Sequence, residues 1–106
     1  MAWTVGYHKN ARAEADAQPD DIRAKLDRFL AIIEENGFED LPPKSVKHLR
    51  DKLWEFRMKG KDGIARALYV TMKGQNLVVV HVFAKKGQKT PPREIKLALA
   101  RAEELE

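Results

Sequence analysis

Arg57, Arg66, His81, Lys85 and Lys86, with Lys47 and Lys89 beside them, are the residues whose types could do chemistry in this chain. Guanidinium and ammonium groups that converge on one surface bind phosphate oxygens. They also stabilise the negative charge that grows in a phosphoryl transition state. For RNA cleavage this could be enough, because the RNA's own 2′-hydroxyl can be the nucleophile. The protein then supplies geometry, positive charge and a proton shuttle. Histidine is the residue type that titrates near neutrality, which makes His81 a candidate shuttle. A lysine crowded by other cations is the alternative, since neighbouring positive charge lowers its pKa and lets it act as a base. His81 also has a plainer reading, as a hydrogen-bonded structural residue on an apolar strand. Other chemistries find no residues. There is no phosphate-binding Gly loop, no His pair at metal spacing, and no Ser or Cys in a nucleophile setting. His8, His48 and His81 are too scattered to argue a zinc site. No cofactor or metal is expected.

Three strand-like segments carry these cations. In the first, Leu53, Glu55 and Arg57 share one face while Trp54, Phe56 and Met58 share the other. The second face is apolar and should pack on helices, so Arg57 points away from the core. Gly60-Lys61-Asp62-Gly63 reads as a turn. In the next segment Arg66, Leu68, Val70 and Met72 alternate with Ala65, Ala67, Tyr69 and Thr71. In the third, Leu77, Val79, His81 and Phe83 alternate with Val78, Val80 and Val82; it is apolar on both faces, which suits a covered, central position. The short link Lys73-Gly74-Gln75-Asn76 predicts an antiparallel hairpin.

The chain before these strands reads as helical and acidic. Trp3 to Tyr7 alternates like a short strand, and the Ala-rich stretch from Lys9 to Gln18 favours helix. Pro19 opens a second helix, with Asp20 and Asp21 where negative charge suits its dipole. Ile22, Leu26, Phe29, Leu30 and Ile33 form one apolar stripe, ended by Asn36-Gly37. Phe38 to Pro43 reads as a loop, and Lys44 to Leu49 as a single helical turn. Pro91-Pro92 introduces a last helix, with Ile95, Leu97, Ala98, Leu99, Ala102 and Leu105 on its apolar side. That side serves either the sheet or a partner.

The 106 residues suffice for one domain with a single modest core. The net charge of +4 hides an asymmetry. Residues 1–40 hold 5 Lys/Arg against 9 Asp/Glu, residues 41–96 hold 14 against 4, and residues 97–106 hold 1 against 3. A basic block of this size is an electrostatic footprint for a polyanion or an acidic partner, unless the fold interleaves it with the acidic helices. Cysteine is absent, which excludes disulfides and is compatible with a reducing cytosol. No signal peptide and no membrane-spanning stretch are expected.

Several short motifs then follow one another in a familiar order. They are Lys47-His48-Leu49, Leu53-Trp54-Glu55-Phe56-Arg57, Ala65-Arg66-Ala67-Leu68-Tyr69, His81-Val82-Phe83-Ala84-Lys85-Lys86, and Gln88-Lys89-Thr90-Pro91 with Glu94-Ile95 and Ala98. Their order and spacing resemble the RelE/ParE toxin superfamily, closest to its HigB-like, phage Gp49-related branch. The match runs roughly from residue 20 to 102. The combination of the Trp-Glu-Phe-Arg strand with the Phe-Ala-Lys-Lys segment is its most specific part. The resemblance implies an α+β fold: two N-terminal helices packed on a small twisted, mainly antiparallel sheet, with a C-terminal helix. It implies the cytoplasmic toxin of a type II toxin–antitoxin pair, acting on mRNA in the ribosome as an endoribonuclease. The partner it implies is a helix-turn-helix, HigA-like antitoxin; no membrane is involved. By position, Arg57 and Arg66 would contact the scissile phosphate. Lys85 and Lys86 would stand where the family places its C-terminal basic residues, with Lys89 nearby and Lys47 as an upstream contact. RelE has a Tyr near its C-terminal end, whereas nothing after Phe83 here is aromatic. The general acid–base therefore stays open between His81 and a lysine. ParE members share the fold but poison DNA gyrase. A gyrase-type toxin that is not an enzyme, and a basic RNA-binding module or inactive phage remnant, stand as alternatives.

Overall fold

The computed structural model describes residues 2–87 and 89–105. Gln88, part of one motif above, lies outside the described residues. The chain runs β1 (Thr4–Tyr7), α1 (Lys9–Asp16), α2 (Asp20–Asn36), β2 (Val46–Arg50), β3 (Leu53–Gly60), β4 (Gly63–Met72), β5 (Asn76–Lys85) and α3 (Pro92–Glu103). The strands form one sheet in the order β1-β5-β4-β3-β2. β1 pairs parallel with β5, and the other pairings are antiparallel. The expected α+β architecture is what the chain adopts.

Each long element follows from its residues. The α2 stripe of Ile22, Leu26, Phe29, Leu30 and Ile33 is buried throughout. Burying side chains of this kind stabilises by roughly 1.5–3 kcal/mol each. The stripe packs with Phe56, Met58, Ala65, Ala67, Tyr69, Val79 and Val82 of the sheet. Gly37 ends the helix at φ 82°, its N–H donating to the Ile33 carbonyl at 2.9 Å. α1 is shorter than expected, closing at Asp16. The N-cap of α1 is His8, whose Nδ1 accepts from the Asn10 N–H at 3.2 Å.

The hairpins form where the turn residues place them. Gly60 pairs with Gly63 across the β3–β4 turn. The Asp21 carboxylate accepts the Lys61 N–H at 2.8 Å, which fastens that turn to the start of α2. A Cβ at position 60 would lie 2.7 Å from the same carboxylate, so a side chain there would push Asp21 off the turn. Gly74 and Gln75 both take positive φ, the backbone twist that a tight β4–β5 turn requires.

Four expectations change. Residues 46–50 are not helical but form β2, paired to β3 with Lys47 opposite Glu55 and His48 opposite Trp54. The free hydrogen-bonding edge of β3 outweighs the weak local helix preference of a short polar stretch. The alternation in β5 is broken by a bulge: Leu68 pairs with His81 but Tyr69 pairs with Val79, leaving Val80 as the extra residue. Leu77 and Val79 therefore pack with α1 and α2, while Val80 and Phe83 join the opposite core. That second core answers the question left open about α3. Ala98 and Ala102 close over Leu53, Leu68, Val70, Val80 and Phe83. Leu97, assigned to the apolar side of α3, is instead 40% exposed, and Trp54, assigned to the face that packs on the helices, is 38% exposed.

Candidate functional site

Cross-strand register decides which side chains meet. Arg57 lies opposite Arg66, Arg66 opposite Phe83, and Ile64 opposite Lys85. Glu55 lies between Lys47 on β2 and Leu68 on β4. Paired residues point to the same side of a sheet. Lys47, Glu55, Arg57, Arg66 and Lys85 therefore share the face turned away from α1 and α2, next to the patch that α3 covers. The alternation that first separated Arg57 from Trp54 and Phe56 holds in the structure.

The centre of this face is buried. Glu55 is 2% exposed and Arg66 5%, and Lys85 is buried with them. Arg66 Nε stands 3.6 Å from Glu55 Oε2 in an ion pair, and its NH1 group donates to the Ala65 carbonyl at 3.0 Å. The Thr90 hydroxyl donates to Glu55 Oε1 at 2.7 Å. Arg66 Nε itself makes no hydrogen bond among the described residues. Arg57 is half-buried, while Lys47, Lys86 and Lys89 are exposed around the rim.

The electrostatics follow from crowding. Burial, and then the Arg66 guanidinium, push the Lys85 ammonium below its usual range; Glu55 opposes them, and Arg57 and Lys47 add to the push. Burial likewise lowers Arg66, against the pull of Glu55 and with a further push from Arg57. Cations held against their own repulsion, with a buried N–H left over, are suited to receive an anion. A lysine whose proton is made easier to lose can also serve as a base.

His81 is placed differently. It is 4% exposed, with Nδ1 2.9 Å from Glu14 Oε1 and Nε2 2.6 Å from Glu94 Oε1. Glu14 also accepts the Val82 N–H at 3.0 Å and Arg101 at 2.8 Å, and Arg101 donates to the Val80 carbonyl at 3.0 Å. Burial pushes the Glu14 carboxyl up, but the hydrogen bonds from Arg101, Val82 and His81 prevail and hold it below the usual range. β1 ends its pairing at Val79, so these side chains satisfy the backbone groups of β5 beyond it. The ring of His81 stacks on Phe83, their centroids 5.0 Å apart. Both ring nitrogens are thus engaged in a network that joins α1, β5 and α3.

Sequence reasoning singled out the cations but not Glu55, Thr90, Glu14, Glu94 or Arg101 as parts of these networks. Glu55 had a signal: a carboxylate alternating in phase with Arg57 on the basic face. Thr90 and Glu94 stood in the last motif with no role attached, and Glu14 and Arg101, on distant elements, had no signal. An apolar groove of about 500 Å³, lined by residues including Phe38, Trp54 and Tyr69, lies on the other side of the sheet. His48 is there too, its ring 4.8 Å from Trp54. Among the described residues no group of His, Asp and Glu has a geometry that could hold a metal ion, and none of the helices is long and apolar enough to cross a membrane.

Comparison with known proteins bears on the family and the fold. Residues 13–103 match the family described as phage derived protein Gp49-like (DUF891). No curated protein matches the chain. Among solved structures, the free state of an Escherichia coli toxin RelE mutant with two arginines replaced by alanine superposes with a TM-score of 0.63 at 16% identity. The match covers 95% of this chain and 98% of that one. A chain of the archaeal RelE–RelB complex from Pyrococcus horikoshii gives a TM-score of 0.60 at 19% identity, covering 83% of this chain and 100% of that one. At these identities the likeness is one of fold.

Proposed function

The chain belongs to the phage-derived Gp49-like family and has the RelE fold, and from these we propose that it is the toxin of a type II toxin–antitoxin pair. The reading extends to a ribosome-dependent endoribonuclease that cuts mRNA in the cytoplasm. One observation carries it: Arg57, Arg66 and Lys85, with Lys47 at the rim, meet on one sheet face that the two N-terminal helices leave uncovered. In this reading Arg57 and Arg66 bind the scissile phosphate and offset the charge that builds on it during attack by the 2′-hydroxyl. The attack forms a 2′,3′-cyclic phosphate, and the bond to the 5′-oxygen of the next nucleotide breaks. Lys85 takes the proton of the 2′-hydroxyl, a role supported by its place in the cluster and its lowered pKa, and a proton passes by way of solvent to the departing 5′-oxygen, which leaves as a 5′-hydroxyl. His81, the first candidate for that role, is engaged by Glu14 and Glu94. It acts through Phe83, which it stacks on and which pairs with Arg66. Lys86 and Lys89, exposed on the segment after β5, hold neighbouring phosphates of the message. One of the matched folds comes from a complex with RelB, which supports an antitoxin as partner. The proposed partner here is of the helix-turn-helix, HigA-like type, acidic where it meets the cluster so that no cation is buried unpaired.

The test is induced expression in a bacterium with mapping of mRNA 5′ ends, for wild type beside Arg57→Ala/Arg66→Ala. Growth arrest with new cuts on translated messages, lost in the variant, is the expected result. Arrest without cuts would replace this reading with the gyrase-type toxin, and no arrest with folded protein present would leave a basic binding module or an inactive remnant.

A further inference from the structure

Glu55 is the anomaly of the basic face. Full ionisation of a carboxylate at 2% exposure requires partners, because desolvation of an unpaired charge is costly. Its partners are unequal. Thr90 gives it a short hydrogen bond at 2.7 Å, whereas Arg66 Nε, at 3.6 Å, is close enough for charge attraction but makes no hydrogen bond. A carboxylate in a closed, purely structural pair would be expected to take that buried N–H. Here the guanidinium is instead held by its other end on the Ala65 carbonyl. Among the described residues, Lys47 from β2, Arg57 from β3 and Arg66 from β4 push on the charge of Lys85, and Glu55 pulls the other way.

We propose that Glu55, anchored by Thr90, is the positioning residue of the cationic cluster: an internal counter-ion that sets where Arg66 and Lys85 sit and how strongly they attract a phosphate. The inference rests on the reading of this face as a phosphate site. Glu55 does not touch the reacting atoms. It holds the cluster together in the absence of a ligand, and it leaves Arg66 Nε unsatisfied for one. Through Thr90 it also ties the cluster to the segment that carries Lys89, so the rim and the centre are placed together.

Nuclear magnetic resonance on the whole chain tests this without reference to cleavage. The readouts are the Lys85 Nζ titration, the Arg66 Nε–Hε resonance, and the affinity for inorganic phosphate, compared in wild type and Glu55→Gln. The amide keeps the shape and the acceptor for Thr90 but not the charge. The expected result is a Lys85 midpoint about one pH unit lower and phosphate binding about 3- to 10-fold tighter. A folded Glu55→Gln protein with both values unchanged would overturn the proposal. If that variant does not fold, Thr90→Val keeps the carboxylate but removes its anchor. It is expected to move the Arg66 Nε–Hε resonance and to change phosphate affinity at least about 2-fold, with Thr90→Ser restoring both. An Arg66 resonance and an affinity identical to wild type in Thr90→Val would likewise overturn it. A chain that shows these couplings but cuts no message would sink the nuclease reading alone. A chain that cuts but shows none would sink this inference alone.

Discussion

Two buried clusters of acids and cations lie along β5, and they are built on opposite plans. Around His81 every strong group has a partner: Glu14 accepts from Arg101, Val82 and His81, and Glu94 meets the other ring nitrogen. Around Arg66, among the described residues, several cations face the carboxylate of Glu55, and the buried Nε–H of Arg66 is left over. A satisfied network stabilises a fold and is finished without a ligand. An unsatisfied one is strained by its own charge and gains when an anion arrives. The same residue types, a few positions apart on one strand, thus divide between holding the structure and offering a site.

Substitutions can sharpen or break this contrast. The largest effect belongs to Arg57→Ala/Arg66→Ala. Cleavage in the 5′-end assay should fall by roughly 10³-fold or more, with the fold retained, because Glu55 keeps Thr90 and Lys85 near it. Lys85→Met should cost cleavage about 10²-fold if the lysine is the base. Urea unfolding should show its stability unchanged or raised by up to about 1 kcal/mol, since burial and the charges of Arg66, Arg57 and Lys47 outweigh the attraction of Glu55 for that ammonium. A clear loss of stability in that variant would mean that the basic cluster is structural after all.

Glu14→Ala should do the reverse. It leaves His81, Arg101 and the Val82 N–H without their shared acceptor, and should lower stability by about 2–4 kcal/mol in urea. Cleavage by the protein that remains folded should fall far less than in Arg57→Ala/Arg66→Ala, by the part that the His81–Phe83 stack contributes to placing Arg66. The smallest effect is one of pH. The folded-state pKa of Glu14 lies below its ordinary value of 4.5. The stability it contributes is therefore fully present above that value and is lost as the pH falls below it, through the lowered folded value. Wild type should weaken more steeply than Glu14→Gln in thermal melts over that range. Equal slopes would show that the network around His81 owes nothing to the charge of Glu14.

What was legible in the sequence follows from the range of each signal. Alternation depends only on the pleat of a strand, so the shared face of Arg57 with Glu55, and of Arg66 with Leu68, could be read locally. The stripe of α2 could be read for the same reason. β2 could not, because Val46–Arg50 becomes a strand only by bonding to β3. The bulge at Val80 carries no glycine or proline to mark it, yet it moves His81 and Phe83 to the side opposite Val79. The partners of His81 arrive from α1 and α3, many residues away in both directions. A lone histidine on an apolar strand could not announce them.

The parallel pairing of β1 with β5 has a consequence for how the chain comes into being. Thr4 precedes its neighbour Asn76 by 72 residues along the chain. Lys85, which completes the cationic cluster, ends the same late strand. Helices and the β3–β4 hairpin can form early from local contacts, but the first strand, the sheet and the cluster all wait for β5. A translation product interrupted before Asn76 would hold two helices and a hairpin with an open edge, and no assembled site. The proposed site therefore assembles in one late step of folding, together with the sheet that carries it.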